Sequence, residues 1–163
     1  MTGALRILAI GLVASAAAGA LLVAAGVEVI VVGAPHDALA DTPATVLVLV
    51  RHNAVVALWP LALVWLGWPA IPIARTIGDA LAAGQMLVHG AILGSALVQQ
   101  PGLWRFLPHL PFELAALALP IAAWIAARHS GDVNPTRVAG TAAAVLALVL
   151  AAAVLESYLV PIG

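Results

Sequence analysis

Apolar residues run along this chain in five long blocks, with the polar residues gathered between them. The blocks cover about residues 4–32, 44–69, 76–98, 108–127 and 136–159, and each reaches the roughly 20 residues that a membrane-crossing helix needs. Between them lie A-P-H-D-A-L-A-D-T-P (34–43), P-A-I-P (69–72), Q-Q-P-G (99–102) and S-G-D-V-N-P (130–135). Each connection carries Pro, Gly, Asp or Asn, which stop helices and turn chains. The strict polar/apolar alternation of a membrane β-barrel strand is absent. The pattern predicts an all-α, polytopic membrane helix bundle of about five transmembrane helices. It forms a single transmembrane domain over residues 1–163.

Composition narrows the functional classes. Hydrophobic residues make up 64% and charged residues 8%, with a mean hydropathy of +1.15. A soluble domain carries roughly 25% charged residues, so this chain could not cover a water-facing surface. A soluble enzyme and a disordered chain are excluded. The net charge of −1 and the absence of any basic run exclude nucleic acid as a partner. There is no Cys, which removes disulfides and thiol chemistry. Arg6, an apolar stretch and Ala14-Ser15-Ala16 resemble a secretory signal, but the apolar run continues to Val32, so an uncleaved first helix is expected.

All six basic residues are arginines, and they set the expected orientation. With alternating helices, Arg6, Arg75, Arg128 and Arg137 share one side, against Arg51 and Arg105 on the other. The positive-inside rule then places the N-terminus in the cytoplasm and the C-terminus outside. The expected localisation is a cell membrane, with the lipid bilayer as solvent. Trp59, Trp65, Trp68, Trp104 and Trp124 are expected mostly near helix ends, as interfacial aromatics.

Ionisable groups inside a bilayer need a partner, a cavity or a function. Converted to depth by the helical rise, they gather in the outer half of the bundle. Glu28 lies toward the outer end of helix 1, Arg51, His52 and Asn53 in the outer third of helix 2, and His89 in the outer half of helix 3. His109 and Glu113 occupy the first turns of helix 4, and Glu156 lies near the outer end of helix 5. The inner half holds mainly Gln85 and Asp79. His109 and Glu113 are four apart and share a helical face, a spacing that can ligate one metal or let the carboxylate hold the imidazole. Glu28 and Glu156 read more simply as interfacial groups, and Arg51 as a snorkelling side chain or a partner of Glu28 or Glu113. His36 and His129 read as loop residues. Gly84, Gly90 and Gly94 are expected to permit close helix packing.

The stretch L-P-H-L-P-F-E-L-A-A-L-A-L-P (107–120) resembles the Pro-His-Gly-x-x-Glu signature of the stage II sporulation protein M family. R-H-N-A-V-V-A-L (51–58) is similar to the family's Asn-Asn segment, and G-Q-M-L-V-H-G-A-I-L-G (84–94) to its Asn-Gly segment. Three positions depart: Leu110 stands for the Gly, His52 for the first Asn of the pair, and His89 for the Asn before Gly. The resemblance carries over Asn53, His109 and Glu113 as functional polar residues. His52 and His89 are changes toward better metal ligands. It implies a polytopic bacterial membrane protein of cell-envelope assemblies, or a smaller relative associated with circular bacteriocins.

Three functions compete at this point. In the first, a divalent metal such as zinc binds His52, His89, His109 and Glu113, with Glu113 and Asn53 as catalytic residues. The chain would then be a metal-dependent membrane peptidase or transpeptidase in bacteriocin maturation, with a peptide substrate. In the second, the polar cluster is a structural network of a scaffold, immunity or export subunit that meets partner membrane proteins or further copies of itself. In the third, His and Glu form a proton relay of a transporter component.

Overall fold

The computed structural model describes residues 2–27, 43–99 and 108–159. Among these residues it is an all-helical, polytopic membrane bundle of five helices: α1 (Thr2–Ala24), α2 (Pro43–Trp65), α3 (Pro72–Gln99), α4 (Leu110–Ser130) and α5 (Pro135–Leu159). One 3-10 turn, Trp68–Ala70, links α2 to α3. Four helices, α2 to α5, are long and apolar enough to cross a membrane, and α1 is apolar over Leu8–Ala24. Glu28, His36, Trp104 and Arg105 lie outside the described residues.

Helix 1 is expected to continue to Val32 but ends at Ala24. Gly26 sits at φ +81°, a left-handed conformation that a side chain disfavours. Its N–H reaches the Val23 carbonyl at 2.9 Å and the Val27 N–H reaches Leu22 at 2.9 Å. These two bonds close the helix in a Schellman motif. The length of the apolar run does not show this stop, because apolar residues resume on the far side of Glu28 and continue to Val32.

The helices pack in two groups. Helices α2, α4 and α5 enclose a core that includes Ala57, Val64, Leu117, Ile121, Val145 and Val149. Pro60 in α2 and Pro120 in α4 are buried within it, as the close neighbours of a membrane bundle allow. Helix α1 packs chiefly on α3, and the contacts are between small residues. A Cβ at Gly90 would strike Ser15, one at Gly94 the Ala16 backbone, and one at Gly19 the Ala91 backbone. Only glycine lets two backbones approach this closely, which is how membrane helices gain packing without a hydrophobic driving force. Gly84 has open space around it and takes no part. The order of these contacts makes α1 and α3 parallel. Outward-facing Ile10, Leu47, Val55, Leu87 and Leu150 are exposed, as lipid-facing side chains are.

Trp124 departs from expectation. It is 1% exposed and lies in the core, not at an interface. Its indole fills the space that a side chain at Gly78 would occupy, and its Nε1 donates to Asp79 Oδ1 at 3.0 Å. The other Asp79 oxygen pairs with Arg128 Nε at 3.0 Å. Aspartate in a membrane helix is thereby satisfied twice, which explains how a buried indole and a carboxylate coexist in this part of the bundle.

Candidate functional site

The site lies at the end of the bundle opposite Arg128. His89 stands 17 residues from Pro72, and Glu113 stands 17 residues from Ser130. At 1.5 Å rise per residue, both are about 26 Å from the Arg128 end. Equal depth on neighbouring helices brings them to one level.

Two arrangements share Glu113. The first is a cavity of about 140 Å³ whose wall includes His52, Asn53, His89 and Glu113, with Val56 and Leu117 among its apolar lining. Asn53 Nδ2 donates to Glu113 Oε1 at 2.9 Å, which ties α2 to α4. His89 Nδ1 lies 2.8 Å from the Gln85 carbonyl. A carbonyl only accepts, so Nδ1 carries a proton and the neutral ring keeps its lone pair on Nε2. Gln85 Nε2 donates to the Val56 carbonyl at 2.9 Å, fixing α3 against α2. The Gln85 Oε1 atom is buried without a partner.

The second arrangement is a group of three ligating side chains: His109, Glu113 and Glu156. Their donor atoms all lie within 4.8 Å of one another. Donors around one tetrahedral ion with bonds of about 2.0–2.1 Å lie roughly 3.3–3.5 Å apart. The three side chains would have to draw together to hold such an ion. His109 sits at the start of α4 without capping it by its side chain. It is 8% exposed, and its Nδ1 is buried with no hydrogen-bond partner. A buried, unpaired ring nitrogen is costly, and a bound cation or water would relieve it. One nitrogen and two carboxylate donors suit zinc, iron or manganese.

The five sequence-derived residues therefore reach one region but divide differently from expectation. His109 and Glu113 join Glu156, which the sequence suggests is only interfacial. His52, which is exposed, and His89, which is half-buried, line the adjoining cavity with Asn53. Among the described residues, His52 and His89 belong to no group of three donors as close as the one around His109. Arg51 is exposed. The ion pair found among the described residues is Arg128–Asp79, so Arg51 does not neutralise Glu113. The signal for Glu156 was its depth, since it lies three residues from the end of α5 and Glu113 three residues from the start of α4.

No family model, no characterised protein and no solved structure matches this chain. The reading of the site rests on its own geometry.

Proposed function

We propose that this chain is a bacterial membrane protein that holds a divalent metal ion, such as zinc, at His109, Glu113 and Glu156 and acts on a peptide bond. The observation that carries this reading is the close group of His109, Glu113 and Glu156, in which His109 also has a buried Nδ1 without a hydrogen-bond partner, beside the cavity that Asn53 and His89 line. When bound, the metal would supply Lewis acidity and a water activated near neutral pH. Asn53 orients Glu113 through the hydrogen bond between α2 and α4. His89 and His52 face the space into which a peptide would reach. Either hydrolysis or transfer of the acyl group to an amine would fit such a site, and the second would close a peptide into a ring. The resemblance to the stage II sporulation protein M family, including its small bacteriocin-associated type, agrees with this role.

The N-terminus is cytoplasmic in this reading and the site opens toward the outer leaflet. Support comes from Arg75, Arg128 and Arg137, which lie at one end of the bundle, with the start of α1 at the same end.

The test is metal analysis of the protein purified in detergent. About one equivalent of zinc, iron or manganese is expected, together with a fall of at least tenfold in Glu156→Gln and little change in His52→Leu. A metal-free protein that gains no ion on titration would leave a second reading. That reading is a scaffold or immunity subunit whose polar cluster fixes helix packing. Its own support is the Asn53–Glu113 hydrogen bond, which satisfies one Glu113 oxygen without any ligand.

A further inference from the structure

We infer that the cavity beside the metal-ligand group binds a small primary ammonium group through Glu113, Asn53 and His89. The inference deepens the proposed peptide-processing role by naming the chemical group that enters. Asn53 Nδ2 is engaged with Glu113, which leaves Asn53 Oδ1 as an acceptor. His89 Nδ1 faces the Gln85 carbonyl, which leaves Nε2 as an acceptor. The Glu113 carboxylate accepts only. Val56, Ala57, Ala116, Leu117 and Val149 offer no side-chain donor to the same cavity.

A ligand that fits must therefore donate. A carboxylate or phosphate would meet acceptors at Glu113, Asn53 and His89, and a donor only at the His52 ring. A primary ammonium has three N–H groups, one for each of these three acceptors, and its charge complements Glu113. A bare metal ion fits poorly in the same place. The donor atoms of His52, His89 and Glu113 do not close to the 4.8 Å spacing found around His109. A volume of about 140 Å³ holds an ammonium with a stem of two or three carbons, since a water occupies about 30 Å³. Two sources carry such a group at a membrane surface: the amino terminus of a peptide and the aminoethyl headgroup of a lipid.

The experiment uses the whole protein in detergent, with and without added zinc. Saturation-transfer NMR is recorded with ethylammonium and with tetramethylammonium, which has no N–H group. Transfer to ethylammonium is expected, with a loss of at least tenfold in His89→Leu and recovery in His89→Gln, which restores an acceptor. Equal transfer to tetramethylammonium, no transfer to ethylammonium, or no change in His89→Leu would overturn the inference. Displacement by an alanyl-valine amide assigns the group to a peptide, and loss of the signal in phosphatidylethanolamine but not phosphatidylcholine nanodiscs assigns it to a lipid. Equal displacement by the N-acetylated dipeptide overturns both. Metal content is measured on the same samples. If metal binds and ethylammonium does not, the ammonium site alone is wrong. If ethylammonium binds and no sample takes up metal, the metal reading fails and the ammonium site stands.

Discussion

The two ends of the bundle solve the same problem in opposite ways. At one end, Asp79 is bound by the Trp124 indole and by Arg128, each at 3.0 Å. Its charge has a counter-charge and both of its oxygens have donors. At the other end, Glu113 has one donor, Asn53. His109 Nδ1 and Gln85 Oε1 have none, and among the described residues no arginine pairs with these carboxylates. Both ends hold ionisable groups in an apolar chain. A closed network reads as structure, because nothing remains for a ligand to do. An open one carries an energetic deficit that a ligand can remove. The deficit, rather than the mere presence of His and Glu, distinguishes a site from a support in this molecule.

Breaking the closed end should have the largest effect on folding. Trp124→Ala removes the largest fully buried side chain and leaves Asp79 with one partner fewer. A loss of about 3–5 kcal/mol is expected from the cavity alone, read as an early thermal transition in detergent. Trp124→Phe keeps most of the volume and should recover much of it. Metal content at the far end should stay at one equivalent in whatever fraction remains folded. A parallel loss of metal would mean that the two ends are a single unit.

The open end should respond in the reverse sense. Glu113→Gln keeps the shape and an acceptor for Asn53, so the α2–α4 hydrogen bond can persist. Stability is expected to change by less than about 1 kcal/mol, the net worth of an ordinary hydrogen bond. Metal affinity should fall by at least a hundredfold, because one of three ligands loses its charge, and peptide processing should disappear with it. Normal metal binding by Glu113→Gln would turn the open end into a structural network like the closed one.

How much of this was legible in the sequence differs between the two ends. The five helices were, because apolar length and Pro/Gly punctuation are local signals, and α5 begins within one residue of its expected start. The end of α1 was not, since Gly26 stops the helix by backbone conformation while apolar residues continue to Val32 on both sides of Glu28. At the open end, common depth drew attention to His52, His89, His109 and Glu113. Rotation about each helix axis then decides which of them face one another, and apolar runs without periodicity do not encode it. Glu156 therefore looked interfacial until its helix was placed. At the closed end, the Asp79–Trp124 contact joins residues 45 apart. The interfacial habit of tryptophan pointed away from it.

A smaller effect should separate the α1–α3 pair from both ends. Gly94→Val places a branched side chain against the Ala16 backbone, which cannot yield as a flexible side chain can. Overpacking of this kind costs about 1–3 kcal/mol. Because α1 lies mainly on α3, the expected result is a loosened first helix with an intact site. Increased proteolysis near residues 24–27 with unchanged metal content would show it. Loss of metal in Gly94→Val would mean that α1 helps to hold the α3 face of the cavity in place.

Gly84 supplies the smallest test and the control for the glycines. It lies on the same helix as Gly90 and Gly94, and by composition the three are indistinguishable. A Cβ at Gly84 meets nothing within 4 Å, so no neighbour resists a methyl group. Its backbone is helical, with no positive φ that alanine would refuse. Glycine within a helix is destabilising by roughly 0.5–1 kcal/mol relative to alanine, because the unfolded chain is freer. Gly84→Ala should therefore stabilise the protein by up to that amount, and Gly90→Ala should destabilise it, because the added methyl meets Ser15 and the Leu12 carbonyl. Opposite signs, measured side by side by thermal unfolding in one detergent, would establish that contact with α1, and not glycine content, sets the packing of α3. A destabilising Gly84→Ala would instead point to a partner on that open face, such as a second copy of the chain.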